Sequence, residues 1–188
     1  MKTRLVPRPR YMAWLQRWKD RQVIKVVTGM RRSGKSCIFE LFRGELRSQG
    51  VPDTNIQSIN FESLDEEYPT TARELYRYIV QRLEPGINYV FLDEVQHVEG
   101  FERAVDGLAL REDVDLYITG SNAYLLSSNL ATLLTGRYVE LRMLPFSFAE
   151  YLSARADESN PDTEFNRYIT YGGMPFAAQL DDERSILD

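Results

Sequence analysis

The sequence predicts a three-layer α/β/α fold around a central, mostly parallel five-stranded sheet. Three observations carry that expectation. Short β-branched runs alternate with longer helical patterns, the chain order that yields parallel strands joined by helical crossovers. The runs VIKVV and NYVFL are close to continuously apolar, as strands covered on both faces are. A glycine-bearing loop leads directly from the first strand into the next helix.

Residues 1–22 read as a basic N-terminal segment, in which Arg10–Arg21 has a helical stripe of Met12, Leu15 and Trp18. Val23–Thr28 is the first strand. Lys35–Ser48 follows as a helix, with Ile38, Leu41, Phe42 and Leu46 spaced three or four apart. Ile56–Phe61 reads as a strand and Thr70–Leu83 as a helix with Leu75, Ile79 and Leu83 on one face. Pro85-Gly86 breaks that helix. Asn88–Leu92 is the third strand, running straight into two acids. Gly100–Leu110 is a helix facing inward through Phe101, Val105 and Leu108. Asp115–Thr119 and Tyr138–Leu144 complete the strands.

The pattern changes after Pro145. Phe146–Ala156 is helical in character, Asp157–Asp162 a polar loop, and Phe165–Tyr171 a short helix stopped by Gly172-Gly173. The core therefore spans 23–145, and 146–188 forms a helical extension. Because the helical pattern of Phe176–Leu187 has no stop signal, the extension is expected to be the start of a truncated lid or second domain.

Composition narrows the function classes. The 188 residues are 43% hydrophobic and 27% charged, the balance of an ordinary globular chain. A single cysteine, Cys37, excludes an intrachain disulfide framework and a multi-cysteine zinc site. A single histidine, His97, excludes sites that need two. No apolar run approaches a membrane span and the N-terminus has no apolar leader core, which points to a cytoplasmic protein without membrane contact. The net charge of −5 is unevenly distributed, since residues 1–36 carry 11 basic side chains against the lone acid Asp20. Such an arm either steers a nucleic-acid or protein partner or is the solvated face of a helix.

Four elements carry chemistry. Gly29-Met30-Arg31-Arg32-Ser33-Gly34-Lys35-Ser36 fits the phosphate-loop pattern G-x-x-x-x-G-K-[ST], between a strand and a helix that opens through Lys35, Ser36 and Cys37. Gly29 and Gly34 let backbone N–H groups curl around an anion, the helix N-terminus adds its unpaired donors, and Lys35 reaches the β- and γ-phosphates. Ser36 supplies a hydroxyl for Mg2+. Arg31 and Arg32 are placed to touch phosphate or a neighbouring acid. Tyr89-Val90-Phe91-Leu92-Asp93-Glu94 puts two carboxylates at the carboxyl edge of the sheet, where ligands of open α/β sheets bind. Asp93 suits Mg2+, and Glu94 suits a general base that polarises water. Leu116-Tyr117-Ile118-Thr119-Gly120-Ser121-Asn122 ends a strand in small polar residues, of which Ser121, ahead of Asn122, suits a γ-phosphate or water sensor; the other reading is a helix cap. Arg137, in Thr135-Gly136-Arg137, is either a transition-state arginine, acting in its own subunit or a neighbour's, or a surface residue. His97, alone, reads as structural, and Cys37 as a small packing residue on the first helix.

In this combination and order, the strings VVTGMRRSGKS, VFLDEVQHVEGFE, LYITGSNAYLLSSNLATLLTGRYVELRMLPFSFAEYL and YGGMP resemble the AAA_14 family of bacterial and archaeal AAA-type ATPases. The resemblance covers most of residues 23–175. It implies an ASCE-type P-loop NTPase fold in which the sensor strand lies between the phosphate-loop strand and the strand that ends in the two acids. It also implies ATP with Mg2+ as ligands. Lys35 and Ser36 would be the Walker A pair and Asp93 and Glu94 the Walker B pair. Ser121 or Asn122 would be the sensor, and Arg137 a candidate finger in a homo-oligomer. The expected activity is ATP hydrolysis driving a conformational switch. The alternatives are a nucleotide-gated binding module with negligible turnover and, less well supported, a small-molecule kinase.

Overall fold

The computed structural model describes residues 5–63, 68–120, 136–155, 160–176 and 178. Five strands form one sheet: β1 (Ile24–Gly29), β2 (Ile56–Asn60), β3 (Asn88–Asp93), β4 (Val114–Thr119) and β5 (Tyr138–Met143). Their spatial order is β2-β3-β4-β1-β5, and every neighbouring pair is parallel. The last strand but one in sequence, β4, is thus inserted between β1 and β3. The connections after β1 and after β4 lead to opposite sides of the sheet, which opens a crevice above the carboxyl ends of β1, β4 and β3.

Strand alternation sorts the core into two layers. Ile24, Val26, Val90, Leu92, Leu116 and Ile118 pack against the helices α3 (Ala72–Val80) and α4 (Phe101–Ala109). Their neighbours Val27, Phe91, Tyr117, Leu141 and Met143 face α1 (Pro9–Trp18) and α2 (Lys35–Ser48). Both faces are covered, so β1, β3 and β4 are buried along their whole length. On the α1/α2 side, Phe91 and Tyr117 stack at 4.7 Å, with Phe39 and Phe42 set edge-on or tilted against them. Offset-stacked and edge-to-face rings are the arrangements that aromatic quadrupoles favour.

One strand position departs from the apolar pattern. Lys25, in the middle of β1, is fully buried and ion-paired with Asp115 of β4. Tyr117 donates to Asp115 at 2.8 Å, the Asp20 backbone N–H does so at 2.9 Å, and Tyr89 donates to Asp20 at 2.7 Å. Burial pushes the lysine pKa down and the aspartate pKa up, each opposed by the charge of the other. The network ties the α1–β1 connection to the amino edge of the sheet. α1 ends at Trp18, short of the expected Arg21, with Lys19 already out of helical geometry (ψ 142°) and Asp20 left-handed (φ 59°).

The helix closing at Val80 starts at a capping box in which Thr71 and Glu74 exchange hydrogen bonds, so it begins two residues later than the sequence pattern implies. Beyond the sheet lie α5 (Phe148–Ala154), capped by the Ser147–Glu150 box, and α6 (Pro161–Tyr171). The latter takes in Pro161 and Asp162, which the sequence pattern assigns to a polar loop. Asn160 caps the Asp162 N–H at 2.9 Å, and a proline at the first helical position has its backbone angle already set. Most of the expected Phe176–Leu187 helix lies outside the described residues. A third apolar cluster, Val6, Phe146, Tyr151, Ala154 and Ala178, joins the N-terminal segment to this extension. No helix among the described residues is long and apolar enough to cross a membrane.

Candidate functional site

The loop from Gly29 to Lys35 is shaped by Gly29 and by two left-handed residues. A Cβ on Gly29 (φ 155°) would lie 2.6 Å from the Met143 carbonyl and 2.9 Å from the Ser33 hydroxyl. The loop can therefore fold back over the end of β5 only with glycine there. Arg32 (φ 65°) and Gly34 (φ 95°) are both left-handed, a loop conformation that gathers backbone N–H groups into an anion-binding concavity. Gly34 opens α2 without any side-chain cap, and the first turn of the helix holds no acid. Its unpaired N–H groups and positive dipole end are thereby left for an anion. The Ser33 N–H closes the turn onto the Met30 carbonyl at 3.2 Å, and the Ser33 hydroxyl is buried without a hydrogen-bond partner.

Across the crevice, β3 delivers Asp93 and Glu94. Lys35 Nζ stands 3.1 Å from Glu94 Oε1 and donates to the Met30 carbonyl at 3.4 Å. Gln96, in the single turn Val95–His97, donates to the other Glu94 oxygen at 2.6 Å. Glu94 itself is left-handed (φ 54°), an uncommon conformation for a side chain of its size and one that tends to occur at functional positions. Asp93 is buried, and burial lifts its carboxyl pKa above the usual range even though hydrogen bonds from Ser36 and Thr119 pull it back. Thr119, the last residue of β4, bridges the two acids: its hydroxyl donates to Asp93 and accepts the Glu94 backbone N–H at 2.9 Å.

Lys35 and Glu94 border a cleft of about 490 Å³ that is also lined by Glu62, Pro175 and Phe176. Gly34, Lys35, Ser36, Arg31, Arg32 and Cys37 all line it. Met30 is exposed beside it, and Arg31 pairs with Glu62 at 3.2 Å, which is the acid-contact option of the sequence reading. Cys37 is half-buried on the cleft wall, so it is less enclosed than a core packing residue. Burial, together with Glu40 and Asp93, pushes its thiol pKa up and keeps it protonated. His97 is exposed.

One expected site residue is not brought to the cleft. Arg137 precedes β5, whose register with β1 places it at the amino edge of the sheet. That is six residues, or roughly 20 Å, from the loop. Its backbone accepts from Ile24 at 2.9 Å and its guanidinium pairs with Asp106 at 2.6 Å. The parallel pairing of β5 with β1 thus sets Arg137 at the edge of the sheet opposite the loop. Ser121 and Asn122 lie outside the described residues.

Sequence reasoning missed three residues. Thr119 ends a strand next to Ser121 and Asn122, which carry the same small polar signal. Gln96 lies two positions past Glu94, where only a turn brings it back. Arg8 had no local signal at all. It is 3% exposed, donates to the Ser33 carbonyl at 3.2 Å and to the Leu144 carbonyl at 3.0 Å, and binds the Glu150 carboxylate at 2.9 and 3.1 Å. Its guanidinium also lies over the Tyr11 ring at 4.3 Å.

A parallel sheet with a glycine loop opening a helix at one strand end, and paired acids two strands away, defines a P-loop NTPase fold. The AAA_14 family profile, described as an AAA domain, matches residues 21–152, and the chain belongs to that family. It is 38% identical over 187 residues to an uncharacterized protein of Haemophilus influenzae, covering 97% of this chain and 47% of that protein. It is 30% identical over 173 residues to an uncharacterized protein of Methanocaldococcus jannaschii, covering 85% of this chain and 37% of that one. The chain therefore spans half or less of these longer relatives. Among solved structures, the Walker-type ATPase PABY2304 of Pyrococcus abyssi matches with a TM-score of 0.65 at 18% identity, over 94% of this chain and 67% of that one. The Aeropyrum pernix ORC1 protein, solved in complex with DNA, matches with a TM-score of 0.61 at 16% identity, over 94% of this chain and 58% of that one. At such identities these likenesses speak for the fold.

Proposed function

We propose that this chain binds ATP with Mg2+ and hydrolyses it, and that hydrolysis switches contacts around β4 and the loop. The observation that carries the reading is the meeting of Lys35 and Glu94, 3.1 Å apart, above a buried Asp93 that Thr119 links to Glu94. Lys35 and the loop amides hold the phosphates, and a bound nucleotide takes over the ammonium that Glu94 now pairs with. Glu94, still held by Gln96, is then free to orient a water molecule against the γ-phosphate. Asp93 and Ser36 are the oxygen donors for magnesium. Among the described residues no three carboxylate, imidazole or thiol groups gather into a metal cage, and magnesium fits one or two protein oxygens completed by phosphate and water. When bound, the ion neutralises charge on the β- and γ-oxygens. Ser121 or Asn122, following Thr119 in sequence, is the candidate sensor. Adenine is carried by the family, with the guanine-specific string N-K-x-D absent from the chain.

The test is a nucleotide titration followed by single-turnover hydrolysis. Lys35→Ala is expected to lose ATP binding, whereas Glu94→Gln is expected to keep it and lose about 100-fold or more in the hydrolysis rate. Equal rates for Glu94→Gln and the parent would remove Glu94 from the mechanism.

A second reading, a nucleotide-gated switch with negligible turnover in a lone chain, is favoured by the position of Arg137. An arginine at the amino edge can serve only a neighbouring subunit's cleft. Turnover per subunit that rises with protein concentration, and falls to the dilute value in Arg137→Ala, is the expected signature of that arrangement. A flat concentration dependence would leave Arg137 as the partner of Asp106 alone.

A further inference from the structure

We propose that Phe176 is the platform on which the nucleotide base stacks, an assignment that rests on reading the cleft as a nucleoside-triphosphate site. The cleft lining is chemically of two kinds. Lys35, Ser36 and the opening of α2 suit a polyphosphate tail. Pro175 and Phe176, beside that opening, are apolar and offer a tail nothing. Phe176 is 61% exposed, although it follows directly on a segment that is tightly fixed.

The fixing is specific. Gly172 ends α6 with φ 80°, turning the chain back toward the sheet. Gly173 then lies so close to the start of the extension that a Cβ there would be 2.2 Å from the Phe146 carbonyl and 2.8 Å from the Tyr168 ring. The Phe146 N–H donates to the Gly173 carbonyl at 2.6 Å, and the Tyr168 hydroxyl to the Phe146 carbonyl at 2.8 Å. On the far side, the Ala178 N–H closes a turn onto the Met174 carbonyl at 3.0 Å, with Ala178 itself fully buried. Pro175 approaches Gly34 closely enough that a Cβ on that glycine would be 3.9 Å from its ring. Phe176 is therefore an aromatic ring kept out of the core by anchors on both sides and set beside the loop. Such preorganisation lowers the ordering cost of binding a planar ligand.

The ligand chemistry follows from the side chain. An aromatic face attracts the π-face of a base, which every base has, and it carries no hydrogen-bonding group to tell one from another. Phe176 accordingly supplies affinity for a nucleoside triphosphate over a bare polyphosphate, without choosing between purines. The sequence string YGGMP and the exposed ring after it thus acquire a role that neither the loop nor the paired acids fill.

Comparing ATP with inorganic tripolyphosphate isolates the base. In Phe176→Ala the ATP dissociation constant is expected to rise roughly 5- to 150-fold, the range of aromatic–base stacking, with tripolyphosphate affinity unchanged. Phe176→Trp is expected to retain ATP affinity. An unchanged ATP affinity in Phe176→Ala, or an equal loss for ATP and tripolyphosphate, would overturn the assignment while leaving the phosphate-loop reading intact. A parent protein that binds neither ligand, or a Lys35→Ala variant that binds both as the parent does, would instead overturn that underlying reading and this assignment with it.

Discussion

Around Glu94, three groups that are far apart in sequence converge on one carboxylate and its backbone. Lys35 holds one oxygen, Gln96 the other, and the Thr119 hydroxyl takes the N–H. Thr119 is the member whose removal is most revealing. Thr119→Val keeps the shape of the side chain but strips a buried donor from Asp93 and an acceptor from Glu94. A cost of about 1–3 kcal/mol in stability is expected, read as a lower denaturant midpoint with an unchanged slope. Hydrolysis is expected to fall further than nucleotide affinity does, because the lost contact aims the acids while the loop holds the phosphates. Part of this site was legible from the chain alone. Lys35, Ser36, Asp93 and Glu94 announce themselves because a phosphate loop and a strand ending in acids are local patterns. Gln96 and Thr119 do not, since their roles come from a turn and from the insertion of β4.

Among the elements, the glycines separate into those required by contact and those that are merely tolerated. Gly173 has no room for a Cβ against the Phe146 backbone. Gly173→Ala is therefore expected to destabilise by more than about 2 kcal/mol, as backbone displacement in a packed region does. Gly44 is the opposite case. It sits on the exposed side of α2 with nothing within 4 Å of an added Cβ. Gly44→Ala is expected to stabilise by about 1 kcal/mol, the difference in helix propensity, and thermal unfolding of the two variants should move in opposite directions. The strands and the apolar faces of α2, α3 and α4 were predictable because periodicity is a local property. Helix ends were less so: the Thr71 and Asn160 caps moved two of them, and α1 stops at Trp18 before the left-handed Asp20.

For the molecule as a whole, Arg8 is the joint. Its guanidinium links the N-terminal segment to the loop at Ser33, to the end of β5 and to Glu150 at the start of α5. Burial pushes the Glu150 carboxyl up, yet Arg8 and the Ser147 N–H together hold it below its ordinary value. A carboxylate with a depressed folded-state pKa contributes stability that is present above its unfolded value and lost as pH falls through the folded one. Arg8→Met is therefore expected to be less stable than the parent near pH 7. The gap should narrow on acidification from about pH 5 downward, as Glu150 protonates in both proteins. A gap that stays constant across that range would assign the role of Arg8 to its carbonyl contacts alone. The burial of Arg8, Lys25 and Lys35 also shows that the basic arm is not simply a charged surface. Among the described residues, three of its cations face inward, and Arg10, Arg17 and Arg21 are left to solvent.

The amino-acid order by itself determined the strand–helix alternation, the loop that receives an anion and the pair of acids, since each depends on neighbours within a few residues. The place of β4 between the loop and the acids, which the family resemblance implies, is the order the sheet has. Only the tertiary structure decided that Thr119 bridges the two acids, that Arg137 stands at the amino edge, and that Phe176 lines the cleft. Those outcomes depend on strand order and on contacts between residues far apart along the chain, such as Arg8 with Glu150 and Phe146 with Gly173, which no local pattern encodes.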